Sequence, residues 1–261
     1  MKHWVSLVNV PEVDQYIDIA KHAEEVGFYG ISIADHLVMP TGELESKYPY
    51  TPDGKMWWPE DVPWPDPWVT LTALGVATKN LHLATNIYLA ALRDPFTAAR
   101  AISAASVFTN GRIHCGVSAG WIKEEYDLIG VDFKSRGRRL DETIEVMQKL
   151  WTGKSVDHKG EFFEFQNALM SPAPPVEIPI WSGGASKAAF RRAAANDGWL
   201  GVPMMADALI ETIHGFKAAR EKIGKQNEPC DVCCSLIQPL TEDLEGQLEE
   251  LGAHHNMTLP W

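Results

Sequence analysis

Gly111-Arg-Ile-His-Cys-Gly-Val-Ser-Ala-Gly-Trp121, which runs on through Ile122-Lys-Glu-Glu-Tyr126 to Arg136-Gly-Arg-Arg-Leu-Asp-Glu142, is the stretch that decides the fold. Ile113 to Val117 is an apolar run of strand length. Gly116 and Gly120 keep side chains out of the turn at its end, so a flat ring can approach the main chain there. Downstream, Leu140, Ile144, Met147 and Trp151 recur at helical spacing, which gives a helix with one buried face. Strand, glycine-lined turn and amphipathic helix together form the repeating unit of a β/α barrel.

The same unit recurs on both sides. Towards the N-terminus, strands are predicted at Val5 to Val8, Ile31 to Ala34 and His82 to Tyr88, with helices after Val13, from Trp68 to Ala77 and from Phe96 to Phe108. Towards the C-terminus, strands are predicted at Ile178 to Ser182, Trp199 to Val202, Val232 to Ile237 and Met257 to Leu259. Helices fall between them at Ala185 to Asn196, Ala206 to Ile223 and Glu242 to Leu251. Eight strands, each but the last followed by a helix, favour an α/β fold of the (β/α)8 TIM-barrel type over an open doubly wound sheet. The chain reads as one domain over residues 1–261, with insertions after strands 2 and 4 and no helix after strand 8.

Composition narrows the class. A net charge of -12 in 261 residues, 45% of them hydrophobic, gives no positive field for nucleic acid or an anionic membrane. There is no signal-peptide core and no apolar run of membrane length, so a cytoplasmic enzyme is expected. Cys230, Cys233 and Cys234 lack a second Cys or His pair at ligand spacing, so they read as structural thiols and no metal is expected. His254 and His255 read as opposite faces of one strand.

Three places could carry chemistry. Asp35-His36 follows the second strand, where a barrel opens its pocket, and a histidine there can exchange a proton or hydrogen-bond a cofactor heteroatom. The stretch from Asp35 to Trp68 holds Tyr48, Tyr50, Trp57, Trp58 and Trp64 among prolines, and reads as a substrate lid or, alternatively, an oligomer interface. Trp181-Ser-Gly-Gly-Ala185 ends a strand and enters a helix; the amides of Gly183, Gly184 and Ala185 would make an anion site, the alternative being a plain βα turn.

Taken in order, Ala34-Asp-His36, Leu81-His-Leu-Ala-Thr-Asn86, Leu92-Arg-Asp-Pro95, Asn110-Gly-Arg112, Gly116-Val-Ser-Ala-Gly-Trp121 with Glu124-Glu125, Arg136-Gly with Asp141-Glu142, Trp181-Ser-Gly-Gly184 and Asp197-Gly-Trp199 resemble the luciferase-like monooxygenase superfamily. Within it they resemble the group of coenzyme F420-dependent oxidoreductases. The resemblance covers almost the whole chain. It implies a deazaflavin or flavin lying across the C-terminal strand ends, with a non-proline cis peptide at Asn86–Ile87 backing the ring and the cofactor phosphate at the Gly183-Gly184 turn. The cofactor contacts it implies are Asp35, His36, Asn86, Ile87, Ser118, Ala119, Gly120, Trp181, Ser182, Gly183, Gly184, Ala185 and Val202. His36 is the implied catalytic residue, and Trp57, Trp58, Trp64 and Trp121 the implied substrate wall.

The expected activity is hydride transfer between F420 and a small apolar or aromatic substrate. The alternatives are an FMN-dependent monooxygenase and a non-catalytic F420-binding protein. Two departures sharpen this. Bacterial luciferases place an arginine for the FMN phosphate where this sequence has Ala119, which tilts the expectation to F420. F420-dependent glucose-6-phosphate dehydrogenases carry a glutamate at the position of Trp121 and a phosphate-binding lysine at that of Met205, so sugar phosphate is not expected. A homodimer is expected, because the seam lacking the eighth helix needs cover.

Overall fold

Short runs of apolar and β-branched residues, buried on both faces, build the parallel strands, as they must when helices cover the outside of a sheet and side chains fill the inside. The computed structural model describes residues 1–259. The strands are β1 (Lys2–Leu7), β2 (Gly30–Ile33), β3 (His82–Thr85), β4 (Ile113–Val117), an antiparallel hairpin β5 (Val156–Lys159) and β6 (Glu164–Ala168), then β7 (Ile180–Gly183), β8 (Gly198–Leu200), β9 (Asp231–Ser235) and β10 (His255–Thr258). Apart from the hairpin, they close into an all-parallel barrel in the order β1-β10-β9-β8-β7-β4-β3-β2. The helices are α1 (Tyr16–Glu25), α2 (Pro67–Ala77), α3 (Pro95–Phe108), α4 (Lys123–Leu128), α5 (Arg136–Trp151), α6 (Lys187–Ala195), α7 (Ala206–Lys222) and α8 (Glu242–Glu250). This is the (β/α)8 architecture expected from the sequence. No helix in it is long and apolar enough to cross a membrane.

Local chemistry sets the boundaries. Asp66 caps α2 by accepting from the amides of Trp68 and Val69 at 3.0 Å, and Asp94 caps α3 through Thr97 at 2.9 Å. A proline follows each cap, at the first helical position. The strand predicted over His82 to Tyr88 stops at Thr85; the cis bond Asn86–Ile87 follows, and Tyr88 bridges to Val117. The helix expected after the fourth strand is α5, and the short α4 precedes it, ending at a turn through Gly130, whose φ of +70° suits glycine. The insertion after β4 is the hairpin β5–β6, and Glu142 of α5 holds it by accepting from His158 and from the amides of Glu161, Phe162 and Phe163.

The barrel floor is polar and aromatic. Trp4 stands in its middle, edge-on to Trp181 at 5.6 Å and to His114 at 5.4 Å between centroids. Its indole donates to His255 Nδ1 at 3.0 Å. Asp231 lies 3.3 Å from His255 Nε2 and accepts from the Trp181 indole at 2.9 Å. Burial opposes the charge on Asp231, but the hydrogen bonds from His255 and Trp181 hold its carboxyl below the usual range. As expected, His255 points inward and is buried, while His254 is exposed. Cys233 packs inside the barrel with Trp4 and Met257, whereas Cys234 faces the helices; both are free thiols.

His82 and His114 share one hydrogen bond, Nδ1 to Nε2 at 3.0 Å, which requires one ring to donate and the other to accept. Desolvation lowers the His114 pKa to about 3 and that of His82 to about 4. Both are therefore neutral in the folded protein at pH values where the unfolded chain, with histidine near pKa 6.5, binds protons. The stability they contribute is complete above that value and drains away as the pH falls towards 4. For His114, 8% exposed, the slope approaches about 1.4 kcal/mol per pH unit. The melting temperature is expected to drop steadily from pH 6.5 to 4, and less steeply in His114→Gln. Equal slopes in parent and variant would remove the imidazole from this account.

The seam between β10 and β1 has no covering helix among the described residues. It forms a groove of about 380 Å³ lined by Val26, Phe28, Leu240, Glu245, Asn256 and Thr258.

Candidate active site

The C-terminal ends of the strands bring the predicted residues to one face. After β2, Asp35 and His36 turn inward and are 4% and 9% exposed. His36 Nδ1 lies 3.0 Å from Glu125 Oε2, and the other carboxylate oxygen accepts the Leu37 amide at 2.9 Å. Glu125 sits on α4 and is 1% exposed. With the carboxylate accepting, Nδ1 carries the proton, and Nε2 is the nitrogen left to exchange one with a ligand. Glu125 belongs to the Glu124-Glu125 motif, which by itself points to no role. It stands 89 residues from its partner, and only the fold brings the two together.

Asp35 supports the chain around it. Its carboxylate accepts the Leu89 amide at 2.9 Å and pairs with Arg93 at 2.7 Å, one partner on each oxygen. That pairing anchors the segment following the cis bond Asn86–Ile87, which lies where the resemblance implied. Ile87 and Gly183 meet closely over the barrel centre: a Cβ on Gly183 would fall 2.2 Å from Ile87 Cδ1. The turn Ser118-Ala119-Gly120 is half-buried, with Gly120 at φ +71°. Tyr126 donates to the Ala119 carbonyl from below, and Arg136 reaches the Gly120 carbonyl at 3.3 Å. Val202 is half-buried just beyond β8.

Two expectations at β7 need correction. Trp181 does not reach the rim; its ring lies in the floor, 4.4 Å from His114, and is fully buried. Ser182 alternates with it, so its buried hydroxyl turns to the helix side rather than into the mouth. The amides expected to face an anion are also differently engaged. The Gly184 amide donates to the Leu200 carbonyl at 3.3 Å, continuing the sheet, and the helix begins at Lys187 instead of Ala185. Ser186 caps α6 by accepting the Ala189 amide at 3.2 Å. The amides with no acceptor within the helix are then those from Ser186 to Ala188, with Ala185 beside them.

The segment between β2 and α2 crosses this face, as a lid does. Trp64 and Trp121 lie edge-on to His36 at 4.7 and 6.5 Å, and Trp58 is tilted to it at 6.2 Å. Tyr48 touches Trp58 and Trp121, at 5.0 and 5.3 Å, and joins the lid to the turn after β4. The Tyr50 hydroxyl comes within 3.8 Å of where a Gly184 Cβ would stand. Trp57, 47% exposed, packs on the outer edge of Trp58 and does not reach His36. The lid is pinned to α4, where Glu124 accepts the amides of Glu45 and Ser46 at 2.6 and 3.1 Å.

This face is suited to a flat ligand on a floor of backbone and Ile87, an anionic group at the start of α6, and a proton handled at His36 under aromatic rings. Comparison with known proteins identifies the family. The family model for luciferase-like monooxygenases matches residues 2–258. An uncharacterised protein of Mycobacterium tuberculosis is 36% identical over 237 residues, covering 91% of this chain and 82% of its own. The F420-dependent glucose-6-phosphate dehydrogenase of Nakamurella multipartita is 28% identical over 239 residues, 89% of this chain and 66% of that protein. Among solved structures, an F420-dependent secondary alcohol dehydrogenase in complex with an F420-acetone adduct shares the fold with a TM-score of 0.75 and 21% identity, over 90% of this chain and 68% of that one. By the match over nearly its whole length and by its 36% identical relative, the chain belongs to the luciferase-like monooxygenase family.

Proposed function

We propose that the protein is an oxidoreductase that transfers hydride between coenzyme F420 and a small, neutral, apolar or aromatic carbonyl compound. The observation that carries this reading is the buried His36–Glu125 pair set under tryptophan rings at the C-terminal barrel face. The F420-dependent relatives support the choice of cofactor, as does Ala119, which offers no charge to an FMN phosphate.

The residues present fit such a group. Gly183 and Ile87 make a floor from which any larger side chain at 183 is excluded. The amides from Ala185 to Ala188, with Lys187 beside them, would hold a phosphate at the helix start. When bound, a 5-deazaflavin accepts or donates hydride at carbon and reacts poorly with oxygen. His36 moves the accompanying proton through Nε2, giving it to a carbonyl oxygen in one direction and taking it from a hydroxyl in the other. Glu125 fixes the ring and the tautomer from behind. Trp58, Trp64 and Trp121 exclude water around the reacting atoms.

The test is binding of the purified protein to F420 and to FMN, alongside Gly184→Val. F420 is expected to bind the more tightly. At φ +107°, with Ala189 Cβ only 3.3 Å from the added carbon, valine at 184 is strained and crowds the anion site. Affinity should fall by about tenfold or more, while a melting curve reports any loss of fold. Tight FMN binding with negligible F420 binding would overturn the choice of cofactor. A folded Gly184→Val protein with parental affinity would move the phosphate elsewhere.

A further inference from the structure

Among the described residues, every hydrogen bond that ties the segment from His36 to Pro65 to the rest of the protein ends on the first turn of α4. Glu124 Oε1 accepts the amides of Glu45 and Ser46, and Ser46 Oγ accepts the Lys123 amide in return at 2.7 Å. Lys123 Nζ also lies 3.5 Å from the Glu45 carboxylate. Glu125, next in the chain, accepts the Leu37 amide and partners His36 Nδ1. The segment's other hydrogen bonds close within it, such as Tyr48 to Gly54 and Val62 to Pro59.

Successive side chains on a helix point about 100° apart. One carboxylate therefore reaches out to the lid while its neighbour turns in to the imidazole. The turn that carries both is weak by itself. α4 is six residues long, and Ile122 at its N-cap offers no side-chain acceptor to the first amides, which have no partner inside a helix. Ser46 supplies the missing cap from the lid. A short helix that loses its cap frays from that end, and here the fraying end carries Glu125.

We infer that Glu124 and Ser46 are positioning residues for His36: the lid caps the helical turn that carries Glu125, so that lid and imidazole are fixed together and released together. The part played by His36 rests on the hydride-transfer reading. The coupling is read from the protein alone, without cofactor or substrate, so either can fail without the other.

Amide hydrogen exchange of the full chain, resolved by 15N NMR, tests it. Groups that open in one step share one protection factor, so the amides of Leu37, Glu45, Ser46 and Lys123 should agree within about threefold in the parent protein. All four should be protected far less than Cys115, whose amide donates to the Pro179 carbonyl inside the barrel at 2.8 Å. Glu124→Ala should speed exchange of all four about tenfold, including Leu37, whose own acceptor on Glu125 is untouched. Ser46→Ala should speed Leu37 about fivefold, the effect of one lost helix cap. Glu124→Gln keeps an acceptor for the lid amides and should recover most of the loss. With histidine labelled, the His36 Nδ1–H signal should broaden in Glu124→Ala and sharpen again in Glu124→Gln. Cys115 should exchange at the parental rate in every variant, which separates a loosened lid from an unfolded barrel. Parental exchange at Leu37 in folded Glu124→Ala would overturn the inference. So would a parent protein in which Leu37 is protected like Cys115 while Glu45 and Ser46 exchange freely, a result that needs no variant to fold. Shared exchange in a protein that does not bind F420 would support the coupling and count against the hydride-transfer reading alone.

Discussion

Replacing His36 with asparagine is expected to slow F420-linked turnover by about a hundredfold to ten-thousandfold, with F420 affinity changed by no more than a few-fold. The imidazole is 9% exposed and touches the lid tryptophans, so asparagine loses the proton-exchanging nitrogen while leaving the floor and the anion site intact. Glu125 acts through His36, and its replacement should show a graded effect. Glutamine retains one carbonyl acceptor for either the Leu37 amide or Nδ1, whereas alanine leaves both of those donors without one. Glu125→Gln should therefore lower kcat less than Glu125→Ala, with KM little altered in the former. Single-turnover rates under anaerobic conditions measure the step directly. Turnover by His36→Asn at the parental rate would take the proton chemistry away from this residue.

Trp181→Ala should destabilise the protein by about 3–5 kcal/mol, the largest stability effect expected of a single side chain here. Its ring is fully buried between Trp4, His114 and His255, and its nitrogen donates to Asp231 at 2.9 Å. The fold makes room for it at Gly198, where a Cβ would fall 2.4 Å from Trp181 Cδ1. Truncation opens a cavity and strips a donor from a buried carboxylate at once. Trp181→Phe fills most of the space but not the hydrogen bond, so it should cost less and leave F420 affinity untouched. Denaturant midpoints decide the matter. A loss below about 1 kcal/mol for the alanine variant would mean that the floor collapses around the gap.

Trp181 also marks where sequence reading stops. The run Ile178 to Ser182 was legible as a strand, and the glycines after it as a turn. Which of Trp181 and Ser182 points into the barrel depends on registry with β4 and β8, set by contacts far away in the chain. The same holds for the Gly184 amide, which looks free in sequence until Leu200 is placed opposite it. His36 and the aromatic lid were legible because strand-end position and composition are local properties. Glu125 was visible only as part of a motif: its partner is set by the approach of α4 to the end of β2. The helix carrying Leu140, Ile144, Met147 and Trp151 is legible from its stripe, whereas α4 before it is six residues long, too short to show one.

The indole of Trp4 and the imidazole of His255, joined across the floor, are 251 positions apart. Neighbouring β/α units can assemble as they leave the ribosome, since their contacts are short in sequence, but the ladder between β1 and β10 waits for the last strand. Until then the first strand has an unpaired edge, the condition under which nascent sheets pair with the wrong chain. The barrel therefore has a vulnerable interval during its own synthesis, ended only when residues Lys2 to Val5 find His255 to Thr258.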